Sequence, residues 1–391
     1  MFKRVYLVFI FMFNKEIILR AEDNGDEPPD GLNVALPFKR LGIFNPAVVQ
    51  YGPLAYLLSR LYYSEKGVHK SCIVRNAALL EGNAVRIVRD RKGRPIEELV
   101  LAPELPHGQQ GVEDMRVGNI QGESPLHAFL VHYNGVDART EYLRTKEAEP
   151  DNLLGWDKFG VFFPNISLQE AIELAPNEKY KNTWKKQYPN GKKQKISREK
   201  YSEPASPFLG TKDCALFPHK IKRKLNGNLE DYYGVIIRLL PDMQIIYVKD
   251  FKELSEHEFW KKSIAGLEEH LLLEREYSWE KSHIGSSYPP FETSEGVIIP
   301  YHGATMKPER NYKFGMALVD KDNPQKILGR TEKSILEATK SWERNGIVKG
   351  NVVFPTGHAV WDGFCHFFYG AGDKYIAHAA TPEQRLLDNF N

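Results

Sequence analysis

The chain has 391 residues, 42% hydrophobic and 12% aromatic, enough for a large core in one big β domain or two smaller domains. Its formal net charge of +2 gives no overall field that points to nucleic acid or a membrane surface. The three cysteines, Cys72, Cys214 and Cys365, are far apart, odd in number and without a CxxC, which argues against a disulfide framework or a zinc site and for buried free thiols.

The first residues, MFKRVYLVFIFMFNKEIILRA, combine a basic start with an apolar run from Val5 to Phe13. That run is too short to span a bilayer. It reads as a signal-like segment, as residues upstream of a true start at Met12, or as a hydrophobic first strand. Residues 1–30 are therefore set apart as an N-terminal extension, and residues 31–391 as a single domain.

Short apolar runs then recur along the chain, among them AVVQYGPLAYLLSRLYY, HAFLVHYNGVDA, YYGVIIRLLPDMQIIYVKD and NVVFPTGHAVWDG. Several alternate at period two and break at Asn-Gly, Asp-Gly or Asp-Asn-Pro turns. Helical signals are few. NISLQEAIELA has Ser167 followed three residues later by an acid, the pattern of a capping box, and SEHEFWKKSIAGLEEHLLLERE is a second candidate. The balance is all-β, with strands spaced for a propeller or a sandwich, and no exact repeat chooses between them.

Residues 177–203 carry nine lysines and arginines interleaved with Tyr180, Trp184, Tyr188 and Tyr201. The segment reads either as a basic-aromatic nucleic-acid patch or as a solvated insertion with some packed aromatics, and the near-neutral remainder of the chain favours the insertion.

The residues that carry chemistry stand near strand ends. In GVEDMR, Glu113 and Asp114 are neighbours, so in extended backbone their side chains diverge to opposite faces and at most one points at a given substrate atom. Taken alone, this pair is either a solvent-facing turn or one working acid oriented by Arg116. Lys212 and Asp213 are either a surface ion pair or a lysine offered to an anion. Arg116, Arg139, Arg144, Lys212, His302 and Tyr312 are cationic or donor groups that would suit an oxyanion if gathered. The chain has no GxxxxGK[ST], GxGxxG, HExxH or GxSxG, which disfavours nucleotide, zinc-peptidase and serine-hydrolase chemistry.

Eight segments in order, FNPAV, GVEDMR, KDCALFPHKI, HIGSSYPPFET, YHG, YKFGMALVDKDNP, GNVVFPTG and FYGAGDKYIAHA, resemble the β-mannoside phosphorylases and related mannosidases of glycoside hydrolase family 130. The resemblance runs from about Asn45 to the C-terminus. It implies a five-bladed β-propeller with a central funnel-shaped site and few peripheral helices. The reaction it implies is inverting phosphorolysis: phosphate attacks the anomeric carbon of a terminal β-mannosyl unit and releases α-mannose 1-phosphate and a shortened acceptor.

By the same resemblance, Asp114 is the proton donor, acting through a sugar hydroxyl. Arg144, Lys212, His302 and Tyr312 hold phosphate, with Arg139 the alternative arginine. Asn45, Arg60, Arg116 and Asp373 line the mannose subsite, Asp213 joins the substrate-binding residues, and Glu113 faces the acceptor. No cofactor is expected beyond inorganic phosphate as co-substrate, and no nucleic acid or membrane span; a homo-oligomer and a cytoplasmic location are expected, with the signal-like start leaving export open. A β-mannosidase of the same fold and a non-catalytic carbohydrate-binding propeller are the alternatives. The chain departs from the family pattern at Met115, at His219, and through an insertion around YLRTKEAEPDNLLGWDKFG, the region of Arg139 and Arg144.

Overall fold

Turn chemistry sets the strand order. Lys66-Gly67 and Asp362-Gly363 take φ of 48° and 82°, and 49° and 74°, as two-residue type I′ turns require, and each folds its flanking strands into a hairpin. The computed structural model, which describes residues 13–104, 108–135, 138–187, 207–224, 227–388 and 390, repeats this pattern in five antiparallel meanders.

The first meander is Phe38–Tyr51, Leu54–Glu65 and Val68–Glu81, edged by Ala84–Ile87 and Glu97–Leu101. The second is Gly111–Asn119, Leu126–Tyr133, Ala138–Arg144 and Asp157–Phe163. The third is Lys212–Leu216, Leu229–Arg238, Met243–Val248 and Leu271–Leu273, with Ile221–Lys224 beside it. The fourth is His283–Ser286, Val297–Thr305, Asn311–Val319 and Ile327–Arg330. The fifth is Asn351–Trp361, Phe364–Ala371 and Tyr375–Pro382, completed by Asn14–Leu19 from the other end of the chain. A parallel contact of two residue pairs, Asn311 with Asn351 and Tyr312 with Val352, merges the fourth and fifth into one nine-stranded sheet.

Five apolar clusters lie between successive meanders. Leu58 and Ile73 meet Met115 and Leu130; Phe129 and Phe163 meet Val235 and Ile237; Ile236 and Phe217 meet Ile284 and Ile299. Phe314 and Met316 meet Val353 and Phe367, and Phe368 and Ile376 return to Ile43 and Leu57 of the first meander. The sequence of interfaces thus closes on itself. All three cysteines are buried and free, and burial raises each thiol above its ordinary value.

The boundary expected at residue 30 does not separate the sheets. Asn14–Leu19 is a strand paired with Tyr375–Pro382, and the buried Lys15 ammonium holds Glu343 at 2.9 Å. Of the apolar start, only Phe13 lies within the described residues.

Ser167 caps the helix Leu168–Leu174, its Oγ accepting from the Glu170 N–H at 3.2 Å. The other half of the expected capping box is missing because the Glu170 carboxylate contacts His257 at 2.8 Å. The second helical candidate forms His257–Ala265 and then passes into the strand Leu271–Leu273. In the basic segment, Glu178–Gln187 is a helix that buries Tyr180 and Trp184 in the interface between the second and third meanders. This is the packed-aromatic reading; residues 188–206, with Tyr188, Tyr201 and half of the segment's lysines, lie outside the described residues. Among the described residues, no helix is long and apolar enough to cross a membrane.

Candidate active site

The leading strands of the first three meanders each slip register at the cavity, between Phe44 and Ala47, Glu113 and Arg116, and Lys212 and Ala215. Asn45, Asp114 and Asp213 sit at these slips with φ of 51°, 49° and 57°, and Asp373, in the turn before Tyr375–Pro382, has 51°. Asn and Asp enter this left-handed backbone more readily than other residues with side chains. All four line one cavity of about 170 Å³. Gly370 makes room for the first of them: a Cβ there would stand 1.8 Å from Asn45 Oδ1.

The bulge corrects one expectation. Glu113 and Asp114 do not diverge, because the slip breaks strand alternation and re-aims the second side chain. Arg60 reaches both, at 2.6 Å to Glu113 Oε1 and 3.7 Å to Asp114 Oδ1. Lys212 Nζ takes the other Glu113 oxygen at 2.7 Å. Burial opposes the Glu113 charge, but Arg60 and Lys212 outweigh it and hold the carboxyl at about 2.

Asp114 Oδ1 accepts from Asn45 Nδ2 at 2.9 Å, and Arg116 Nη1 donates to the Asp114 carbonyl at 2.9 Å. Arg116 is buried over the Phe354 ring and, with Arg238, brackets Asp213: Nη2 lies 3.4 Å from Oδ1 and Arg238 Nη1 2.7 Å from Oδ2. His302 Nε2 is 3.6 Å from the same Oδ2. Burial and then the charge of Arg238 keep His302 and His283 well below the usual imidazole value, so both rings are neutral near pH 7. Tyr312 lines the cavity with its hydroxyl 3.5 Å from His283 Nε2, and burial raises its phenol. Asp373 is pushed up to about 6 by burial and by the facing Asp114, against the pull of Arg60 and Arg310.

The structure therefore gathers Asn45, Arg60, Glu113, Asp114, Arg116, Lys212, Asp213, His302, Tyr312 and Asp373 in or against one cavity. It does not bring in Arg144, which is exposed beside Phe159 and pairs in register with His127 and Asp157. At about 3.3 Å per residue, five residues along the strand place Arg144 about 16 Å beyond Arg139. Arg139 is at the near end but buried, 4.1 Å from the Phe208 centroid and donating to the Phe162 carbonyl at 3.1 Å, and it does not line the cavity. Sequence reasoning missed Arg238, Arg310 and Phe354, which do line it. Arg238 stands opposite Lys212 in register, a relation with no local signal.

A second cavity of about 150 Å³ lies further along the same strands, between Gly118, Asn119, Tyr288 and His358, and has no charged side chain in its lining. Among the described residues, no three His, Cys, Asp or Glu side chains cluster as a metal site.

Comparison with known proteins adds four findings. The model of glycoside hydrolase family 130, described as beta-1,4-mannooligosaccharide phosphorylase, matches residues 183–391. A 1,2-beta-oligomannan phosphorylase of Thermoanaerobacter sp. (strain X514) is 25% identical over 344 residues, 87% of this chain and 89% of that one. A beta-1,2-mannobiose phosphorylase of Listeria innocua is 32% identical over 168 residues, 42% of each chain. The solved structure of a Listeria innocua beta-1,2-mannobiose phosphorylase with beta-1,2-mannobiose superposes with a TM-score of 0.61 at 20% identity, covering 96% of this chain and 99% of that one.

Proposed function

The chain belongs to glycoside hydrolase family 130, and we propose that it cleaves β-mannosides by inverting phosphorolysis. One observation carries this reading. Five cations, Arg60, Arg116, Lys212, Arg238 and Arg310, surround four carboxyls, Glu113, Asp114, Asp213 and Asp373, and Asp373 is pushed toward its neutral form. A cavity with surplus positive charge suits a phosphate, which brings the missing negative charge with it.

Asp114 is the acid. Asn45 and Arg60 engage its Oδ1, leaving Oδ2 to deliver a proton toward the leaving oxygen, directly or through a sugar hydroxyl. The bond from the anomeric carbon to the acceptor oxygen breaks as the bond to a phosphate oxygen forms on the opposite face. The glycoside and HPO₄²⁻ become mannose 1-phosphate dianion and the acceptor alcohol, so protons balance without a second protein carboxylate as base. Lys212, His302 and Tyr312 hold phosphate against the sugar, and Asn45, Arg60, Arg116, Asp213 and Asp373 shape the mannose subsite.

The long match to an oligomannan phosphorylase supports a β-1,2 linkage. The closed order of core clusters and the strand Asn14–Leu19 support the five meanders as blades of a five-bladed propeller around the cavity. A phosphorolytic enzyme works where phosphate is abundant, which favours the cytoplasm.

The test is incubation with β-1,2- or β-1,4-mannobiose, with and without phosphate. Mannose 1-phosphate forms only with phosphate and faster from the β-1,2 disaccharide. Equal release of free mannose in both tubes would instead establish a mannosidase.

A further inference from the structure

We propose that Arg310 is the arginine that clamps the attacking phosphate in this chain, in place of the arginines on the strand Ala138–Arg144; the assignment rests on the phosphorolytic reading above. Arg139 and Arg144 are both outside the cavity lining, one buried over Phe208 and the other at the far end of its strand. Arg310 is in that lining.

Charge commitment separates it from its neighbours. Arg60 and Lys212 hold Glu113, while Arg116 and Arg238 hold Asp213. The exposed Arg310 side chain has no ion pair or hydrogen bond to any described residue. Its field still reaches the cavity, pulling down the carboxyl of Asp373 and the phenol of Tyr312. Among the described residues, it is the one lining cation whose counter-charge has to arrive with a ligand.

The base of the side chain is fixed while its head is free. The Arg310 carbonyl accepts from the Asn351 N–H at 2.9 Å, and Asn311 pairs with Asn351 in the short parallel contact. Gly350, at φ 130°, packs so closely that a Cβ there would lie 2.4 Å from the Arg310 carbonyl oxygen. Tyr312, two residues on, lines the same cavity. A guanidinium beside a phenol and a lysine offers the planar double donation that phosphate accepts well.

The experiment compares full-length wild type with Arg310→Ala and Arg310→Lys, varying phosphate at saturating mannoside and then the reverse. In Arg310→Ala the phosphate KM rises about 10-fold to 100-fold and the mannoside KM stays within about twofold, because a charge-assisted contact to one substrate is lost. Arg310→Lys recovers part of the loss. An unchanged phosphate KM, or a loss carried by the mannoside KM, overturns the assignment.

A second readout needs no turnover: inorganic phosphate raises the melting temperature of wild type and fails to raise that of Arg310→Ala. Equal protection of both, or none of wild type, also overturns it. Should wild type make no mannose 1-phosphate yet be protected by phosphate through Arg310, the reaction assigned above fails and the anion site stands.

Discussion

On the side of the cavity built by the first three meanders, charge answers charge: Arg60 and Lys212 hold Glu113, and Arg116 and Arg238 hold Asp213. On the side built by the last two, Arg310 and Asp373 face the same space without touching. The paired side positions itself before any ligand arrives, which is the preorganisation a catalytic acid needs. The unpaired side keeps its charge and its proton available for a ligand. The difference teaches where to look for recognition in a site crowded with charges: at the groups the protein has left unanswered.

The largest expected effect falls on the acid held by the paired side. Asp114→Asn should lower mannose 1-phosphate formation by about 10²-fold to 10⁴-fold, the usual contribution of a positioned acid, with little change in melting temperature. Activity within a few-fold of wild type, measured by initial rates, would break the division of roles drawn here.

Glu113→Gln tests the pairing itself. It leaves Lys212 without its ion-pair partner and Arg60 with only the longer contact to Asp114 at 3.7 Å, and should destabilise the fold by about 3 kcal/mol in chemical unfolding, the low end for breaking a buried pair. The sign with pH follows from the depressed carboxyl. Glu113 is held at about 2 against an ordinary 4.5, so its stabilisation is complete above about 4.5 and fades as pH falls toward 2. The variant should lack that acid-side slope.

Asp373→Asn should give the smallest effect, and one of opposite slope. With Asp373 raised from 3.8 to about 6, the folded chain holds this proton more tightly than the unfolded one. Its contribution is complete below about 3.8 and is lost as pH rises through 6. Melting temperature followed across pH 4 to 7 should show this decline in wild type and not in the variant. A decline that survives the substitution would assign it to another group.

Strand runs and their Gly-containing turns were legible because they are local, as at Asp362-Gly363. The motif residues of FNPAV, GVEDMR and KDCAL were legible as a family pattern, although the alternation rule misread how Glu113 and Asp114 point, since nothing in six letters shows a bulge. Arg238 and Arg310 were illegible because they enter by register, one across from Lys212 and the other beside the parallel contact to Asn351. Arg144 was misplaced because a motif match broken by an insertion fixes the strand but not the position along it. The strand Asn14–Leu19 had no nearby partner to announce it.

That strand has a consequence for assembly in time. Lys15 and Glu343 are 328 residues apart in the chain, and Asn14–Leu19 leaves the ribosome long before Tyr375–Pro382, its partner. Pairing across such a span is slow, and until it happens an apolar edge stands open to other chains. Asp373 belongs to the hairpin this strand covers. A nascent chain would therefore carry the finished acid side of its site while lacking the other, and turnover should begin only when Asn14–Leu19 meets Tyr375–Pro382.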